Sequence, residues 1–342
     1  MKAGVFVREG VIEMANLPEP QARAGEVVLR VRGCGVCGTD VHILHGDLKE
    51  GVVPPVVLGH EIVGEIIAVG DGVSQWTIGQ TVAVDPVVSC GRCEFCQIGR
   101  PNLCPTSTVI GYSRHGGYAE YVAVPASHIV AISPKVGLKG GILVETLACV
   151  LNGYERLGFE AGRTAMILGA GAVGLLWNQM LRHSPSACLI QTEPVAFRRQ
   201  IAAELGADLV IDPSRESVTE CVREALPEGV DFVVDASGDP QAVEEGIRLV
   251  RKGGTFMIFG VCPKGREIRL DPHEAYQREM RIIASKMPPR KLNQAARLLE
   301  SGKIDYERIV TTVRGLDGLV EAIRLFSEGR DRHVKIAIDP RA

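Results

Sequence analysis

Thr164-Ala165-Met166-Ile167-Leu168-Gly169-Ala170-Gly171-Ala172-Val173-Gly174 reads as a short apolar strand, a glycine turn and the opening of a helix. In such a turn the first glycine makes the tight bend, the second lets the backbone approach a pyrophosphate, and the third packs helix on strand. The helix N-terminus then faces the anion. The cofactor contacts predicted here are Gly169, Gly171, Val173 and Gly174. Glu193 stands just past the next predicted strand, Ala187–Ile190, about twenty residues on, where a carboxylate accepts both ribose hydroxyls and repels a 2′-phosphate. That favours NAD over NADP. Arg198 and Arg199 follow, and a guanidinium there would attract the phosphate; a solvated helix face is the plainer reading of both.

Outward from this turn the chain alternates strand and helix. Leu209–Ile211, Val230–Asp235 and Thr255–Phe259 read as further strands, with helices between them. That rhythm predicts a doubly wound parallel sheet over residues 151–285. Residues 1–150 look β-rich, with strands such as Val27–Val31 and Ile62–Val69 broken by Gly and Pro. The segment 286–342 is mixed, with helices at Leu292–Ser301 and Leu319–Glu328 and strands near Ile309 and at Val334–Ile338, and it is expected to return to the first domain. No low-complexity linker, internal repeat or coiled coil interrupts the chain.

With 342 residues, 46% of them hydrophobic, the chain has ample core for two domains. A net charge of −3 and no basic stripe argue against nucleic acid or an anionic membrane as a partner. Charged residues near the N-terminus leave no signal-peptide core, and no apolar run stands out as a membrane span, so a soluble, cytoplasmic protein is expected. Ten cysteines then suit metal ligands and buried thiols better than a disulfide frame.

Two cysteine groups carry chemistry. Cys90, Cys93, Cys96 and Cys104 combine two-residue gaps with one longer excursion, the spacing of a closed structural zinc site; four thiolates also suit an iron–sulfur cluster. Cys37, in Cys34-Gly-Val-Cys37-Gly-Thr39-Asp40-Val-His42, is joined some twenty residues later by His60 and Glu61. Thiolate, imidazole and carboxylate from two turns form a three-ligand set for a zinc that keeps a position open for substrate. Cys34 and Cys37 also resemble half of a second structural knuckle, but no further cysteine pair lies near to complete it. Cys34 reads as a packed thiol.

In this order, the Cys37–His42 stretch, Gly59-His60-Glu61, the four-cysteine group and Gly169–Gly174 resemble the zinc-dependent medium-chain alcohol dehydrogenases over essentially the whole chain. The resemblance is closest to the polyol (sorbitol-like) and threonine dehydrogenase branch, which has a glutamate where this chain has Glu145; Thr146 stands where that branch usually has proline. The resemblance implies a GroES-like β-rich catalytic domain interrupted by a Rossmann domain. It implies that Cys37, His60 and Glu145 surround a catalytic zinc, with Glu61 either a fourth ligand or the partner of a bound water. Thr39 then contacts the substrate oxygen, Asp40 supports the ligands from behind, and His42 ends a proton relay.

The implied substrate is a small secondary alcohol or its ketone: a polyol, a sugar-acid alcohol or, alternatively, threonine. A catalytically silent nucleotide-binding protein is the rival from another class. A homo-oligomer, dimer or tetramer, is implied as well. Since Cys37 and Glu145 already neutralise the metal, Glu61 is expected to be displaced or water-linked in turnover.

Overall fold

The computed structural model describes residues 1–288, 290–329 and 332–342; Pro289, Arg330 and Asp331 of the predicted return segment lie outside the described residues. The chain divides into two compact units.

The unit Cys149–Met287 is built on a six-stranded parallel sheet. Its strands are β1 (Thr164–Leu168), β2 (Cys188–Thr192), β3 (Leu209–Ile211), β4 (Val230–Asp235), β5 (Val250–Ile258) and β6 (Arg281–Ala284), in the order β3-β2-β1-β4-β5-β6. The order reverses beside β1, so the crevice at the carboxyl end of β1 is the expected ligand position of this fold. Strand β4 is buried along its whole length, as a central parallel strand covered on both faces must be. Five helices alternate with the strands: α1 (Ala172–His183), α2 (Ala196–Glu204), α3 (Val218–Ala225), α4 (Pro240–Leu249) and the short α5 (Pro272–Gln277). Ser217 caps α3 by accepting from Glu220 N, and Asp239 caps α4 ahead of Pro240 by accepting from Gln241 N. Met166, Ile190, Val233 and Phe256 fill the core between them.

The other unit comprises Met1–Ala148, Pro288–Gly329 and His333–Ala342. Its main sheet runs in the order Ile129–Ala131, Thr81–Val84, Glu61–Val69, Glu26–Gly35, Lys335–Asp339, Val310–Gly315, with Tyr121–Pro125 also paired to Glu26–Gly35. The last strand of the chain therefore lies against the strand that leads into Cys37, pairing Ala337 with Gly35 and Ile338 with Cys34. Alternate residues Val27, Leu29 and Val31 join Ile62, Ile66, Val82, Ile336 and Ile338 in the core.

The helix Gly137–Leu157 departs from the β-rich reading of residues 1–150, and the division between the units falls within it. It also corrects the expectation of no membrane-length apolar run: among the described residues, Pro134–Leu157 is one helix long and apolar enough to cross a membrane. Of its most apolar window 67% is buried inside the protein, and it carries the buried Glu145 and Asn152, so its apolarity serves the core. The reading missed it because Lys139, Glu145, Asn152 and Glu155 interrupt the apolar run.

Gly174 shows how tightly the turn is built, since a Cβ there would sit 2.1 Å from the Gly169 carbonyl oxygen. Gly174→Ala is expected to cost about 1–3 kcal/mol through this backbone clash, read as the urea-unfolding transition of the full chain. A loss below about 0.5 kcal/mol would show that the helix and the turn can slide apart.

Candidate functional site

The four-cysteine loop closes on itself. The sulfurs of Cys90, Cys93, Cys96 and Cys104 lie within 4.8 Å of one another, with Cys93 and Cys96 Sγ 3.5 Å apart. Backbone amides point at them: Cys93 N donates to Cys90 Sγ at 3.4 Å, and Cys90 N to Cys104 Sγ at 3.5 Å. The amides of Arg92 and Cys93 push the Cys90 thiol down to about 6, so this sulfur ionises near neutral pH and is suited to a metal. Among the described residues no disulfide joins any of the ten cysteines.

The second cluster grows from a helix end and a strand start. Cys37 occupies the N-cap position of the helix Gly38–His45, and its backbone N–H donates to Asp40 Oδ2 at 3.0 Å, which fixes the turn that presents the sulfur. Glu61 opens the strand Glu61–Val69, and His60 immediately precedes it. Donor atoms of Cys37, His60 and Glu61 lie within 4.8 Å of one another. Asp40 is fully buried behind them; Tyr118 donates its hydroxyl hydrogen to Asp40 Oδ2 at 2.7 Å, and His60 Nδ1 stands 3.8 Å from Asp40 Oδ1. Burial opposes charging His60, but the negative charges of Cys37, Asp40 and Glu145 outweigh it and raise its pKa well above the usual value. Burial likewise raises Asp40 above the ordinary carboxylate range. Three buried polar atoms here, Asp40 Oδ1, His60 Nδ1 and Glu61 Oε2, make no hydrogen bond. A buried group of sulfur, nitrogen and carboxylate donors with excess negative charge and unsatisfied atoms is a fitting nest for a divalent cation.

Glu61 is held by two residues. Its Oε1 accepts from Thr146 Oγ1 at 3.0 Å and from Lys335 Nζ at 2.5 Å. The Lys335 ammonium is equally close, 2.5 Å, to Oε2, without a hydrogen bond aligned on that oxygen. Burial works against charging Lys335, yet the charges of Glu61 and Cys37 raise its pKa. The register explains the meeting. Gly35 lies opposite Glu61 on one side and Ala337 on the other, and Lys335 is two residues from Ala337 on the same face. A Cβ on Gly35 would come within 1.9 Å of Glu61 Oε2 and 3.0 Å of Lys335 Cε, so only a glycine lets the pair cross the strand.

The expected ligand Glu145 stands outside the 4.8 Å set of Cys37, His60 and Glu61. It is buried in the helix Gly137–Leu157, and its charge acts on the same patch. Burial, with the charges of Glu145 and Cys37, pushes Tyr112 up to about 12, and burial with the charge of Glu145 pushes Asp85 up to about 7. Thr39 Oγ1 lies 3.7 Å from Cys37 Sγ. His42 turns Nδ1 toward Asp47 Oδ2 at 3.4 Å. Cys34 is a fully buried thiol raised by burial, outside the ligand set, as the sequence suggested.

In the nucleotide unit Gly169 has a φ of +98°, in the left-handed region that its place in the turn demands. A Cβ on Gly171 would meet no protein atom, which leaves open space over the turn where a pyrophosphate is expected. Glu193 is placed differently from a freely presented carboxylate. It is buried, Oε2 accepting from Ala170 N at 2.7 Å and Oε1 from Val195 N at 3.0 Å, so it braces the glycine turn itself. Arg199 is tied to the carbonyls of Glu193 and Pro194 at 2.8 and 2.7 Å and to Asp212 at 2.8 Å. Arg198 is half-buried on α2.

Residues 23–134 match the family described as the alcohol dehydrogenase GroES-like domain, and residues 172–301 the zinc-binding dehydrogenase family. The chain is 34% identical over 315 residues to D-altritol 5-dehydrogenase of Agrobacterium fabrum, covering 91% of each chain. The chain belongs to the zinc-binding alcohol dehydrogenase family. It is 31% identical over 326 residues to L-threonine 3-dehydrogenase of Pyrococcus horikoshii, covering 93% of this chain and 92% of that one. A zinc-binding dehydrogenase of Sinorhizobium meliloti solved with NADP superposes with a TM-score of 0.94 at 36% identity, covering 99% of each chain.

Within this alcohol dehydrogenase scaffold, sequence reasoning missed Gly35, Tyr118 and Lys335. A lysine inside the apolar strand Val334–Ile338 was the available signal for Lys335, because a charge on a buried strand needs a partner. Thr146 was visible only as a departure from proline. Lys335→Met strands the Glu61 carboxylate in the core and is expected to destabilise the protein by about 3–5 kcal/mol, whereas adding Glu61→Gln recovers most of that loss. Urea unfolding of both variants checks this; a single variant within about 1 kcal/mol of the parent would mean the pair is not buried as described.

Proposed function

We propose that this chain oxidises a secondary alcohol of the polyol or related polyhydroxylated class to the ketone, using zinc and NAD. The observation that carries the reading is the convergence of Cys37, His60 and Glu61 in one buried patch with Thr39 beside it. Cys37, His60 and Glu61 would hold the zinc, with Glu145 at the same patch, and the four-cysteine loop would hold a second, structural zinc. When bound, zinc lowers the pKa of an alcohol oxygen, and the nicotinamide takes up the hydride. Thr39 receives the hydroxyl proton, and His42, oriented by Asp47, hands it toward solvent. Asp40, fixed by Tyr118 and by the Cys37 amide, keeps the His60 ring in place.

Gly169, Gly171, Val173 and Gly174 would carry the pyrophosphate. Glu193 supports NAD, since a buried carboxylate at the end of β2 disfavours a neighbouring 2′-phosphate; the NADP-bound relative argues for the other choice, and Arg198 would be the phosphate's partner there. The similarity to a threonine dehydrogenase makes threonine the second candidate substrate. A homo-oligomer acting in the cytoplasm completes the reading.

The test is reduction of NAD and NADP against polyols, sugar acids, threonine and simple alcohols. The expected result is chelator-sensitive turnover of a polyhydroxylated alcohol, with kcat/KM about tenfold or more higher for NAD and a fall of roughly a thousandfold in Cys37→Ala. Preference for NADP overturns the cofactor assignment, preference for threonine overturns the substrate class, and full activity of Cys37→Ala overturns the metal site.

A further inference from the structure

Arg199 lies in the first turns of α2, shortly after Glu193, where a guanidinium turned to solvent would meet a 2′-phosphate. It is turned inward instead. Its side chain is 21% exposed, Nη1 donates to the carbonyl oxygens of Glu193 at 2.8 Å and Pro194 at 2.7 Å, and Nη2 stands 2.8 Å from Asp212 Oδ2. A guanidinium has five N–H groups, and both of those on Nη1 are committed to backbone. Asp212 is itself held for this contact. The backbone N–H and the hydroxyl of Ser214 donate to its Oδ1, at 3.0 and 2.5 Å, and Oδ2 is the oxygen beside Arg199. The Ser214 hydroxyl above all holds the Asp212 carboxyl below the ordinary carboxylate range, so it is charged. Arg215 Nε, on a side chain 82% exposed, is 3.8 Å from the same oxygen and too far to hydrogen-bond. Strand register brings the groups together. Thr192 of β2 lies opposite Ile211 of β3, and Glu193 N donates to Ile211 O at 3.0 Å, so Glu193 and Asp212 leave the sheet side by side. A line of contacts then runs from Asp212 through Arg199 to the Glu193 backbone, and from the Glu193 carboxylate to the amides of Ala170 and Val195.

We propose that Arg199 and Asp212 clamp the loop 193–195: Arg199 is a positioning residue that holds the Glu193 carboxylate against the glycine turn, and Asp212 keeps the Arg199 charge from serving a 2′-phosphate. The inference rests on the NAD reading above and deepens it. Two carbonyls held by one planar guanidinium fix the backbone of Glu193, and a fixed backbone limits where its carboxylate can reach. As charges Arg199 and Asp212 cancel. This basic residue therefore adds no attraction for a phosphate, and the negative charge of Glu193 is left to set the preference.

The test measures equilibrium binding of NADH and of NADPH to the full chain as purified, by nicotinamide fluorescence and with no substrate present. Two variants separate geometry from charge. Arg199→Met combined with Asp212→Asn removes the clamp at constant net charge, whereas Asp212→Asn alone leaves the Arg199 charge uncancelled. The double variant is expected to bind NADH and NADPH each about tenfold more weakly, because hydrogen bonds to a charged group are lost. In the cofactor-free double variant, hydrogen exchange at the amides of 168–174 is expected to quicken about tenfold, as the hold of Glu193 on Ala170 N slackens. Asp212→Asn alone is expected to shift the ratio of the two affinities about fivefold toward NADPH. An NADPH loss in the double variant about tenfold or more beyond the NADH loss would make Arg199 a phosphate ligand and overturn the inference. Unchanged binding and exchange in the double variant would overturn it too. So would an unchanged ratio in Asp212→Asn, which decides the matter even if the double variant does not fold. The parent's own preference tests the underlying reading separately. A parent that binds NADPH the tighter sinks the NAD reading, and the clamp then stands or falls on whether the double variant loses both ligands alike. A parent that prefers NADH, with variants that contradict these expectations, sinks the clamp alone.

Discussion

A carboxylate and an ammonium buried together inside a sheet constrain everything around them. Glu61 and Lys335 are each almost fully withdrawn from solvent, and removing either charge from water costs several kcal/mol unless the other stands in contact. Contact demands three things at once: Glu61 at the start of its strand, the last strand of the chain in register with Gly35, and no side chain on Gly35. The two ends of a long chain are thereby made interdependent. The strand carrying Lys335 is as much a part of the candidate site as the Cys37 turn.

The same logic separates the two cysteine-bearing sites. The four-cysteine loop gathers sulfurs from one short stretch and braces them with its own amides, so it is complete within itself. The site of Cys37, His60 and Glu61 draws on a helix N-cap, a strand start, a helix side chain and a C-terminal strand. Mixed donors and unsatisfied buried atoms leave it able to admit another oxygen, whereas four sulfurs around one centre leave no such room. One arrangement suits structure and the other suits chemistry.

Much of this was legible in the sequence because local spacing carries it. The glycine turn, the four-cysteine spacing and the strand–helix rhythm each depend on residues close in the chain, and β1, β3, β4 and the helix Leu319–Glu328 fall where the pattern places them. The rest depends on partners far apart. No local pattern ties Lys335 to Glu61, Tyr118 to Asp40 or Thr146 to Glu61, since each pairing is created by sheet register or helix docking. Glu193 shows the limit in another way. Its place after β2 was readable, but only the structure reveals that both oxygens brace backbone amides of the turn. The long helix Gly137–Leu157 escaped notice because Lys139, Glu145, Asn152 and Glu155, of which Glu145 alone belongs to the site, break its apolar run.

The account stands on a metal held among Cys37, His60 and Glu61. Anomalous X-ray scattering from crystals of the zinc-loaded protein, recorded on either side of the zinc absorption edge, tests this most directly. The account predicts one peak within the loop of Cys90, Cys93, Cys96 and Cys104 and a second between Cys37 and His60. Density in the four-cysteine loop with none at Cys37 would contradict it.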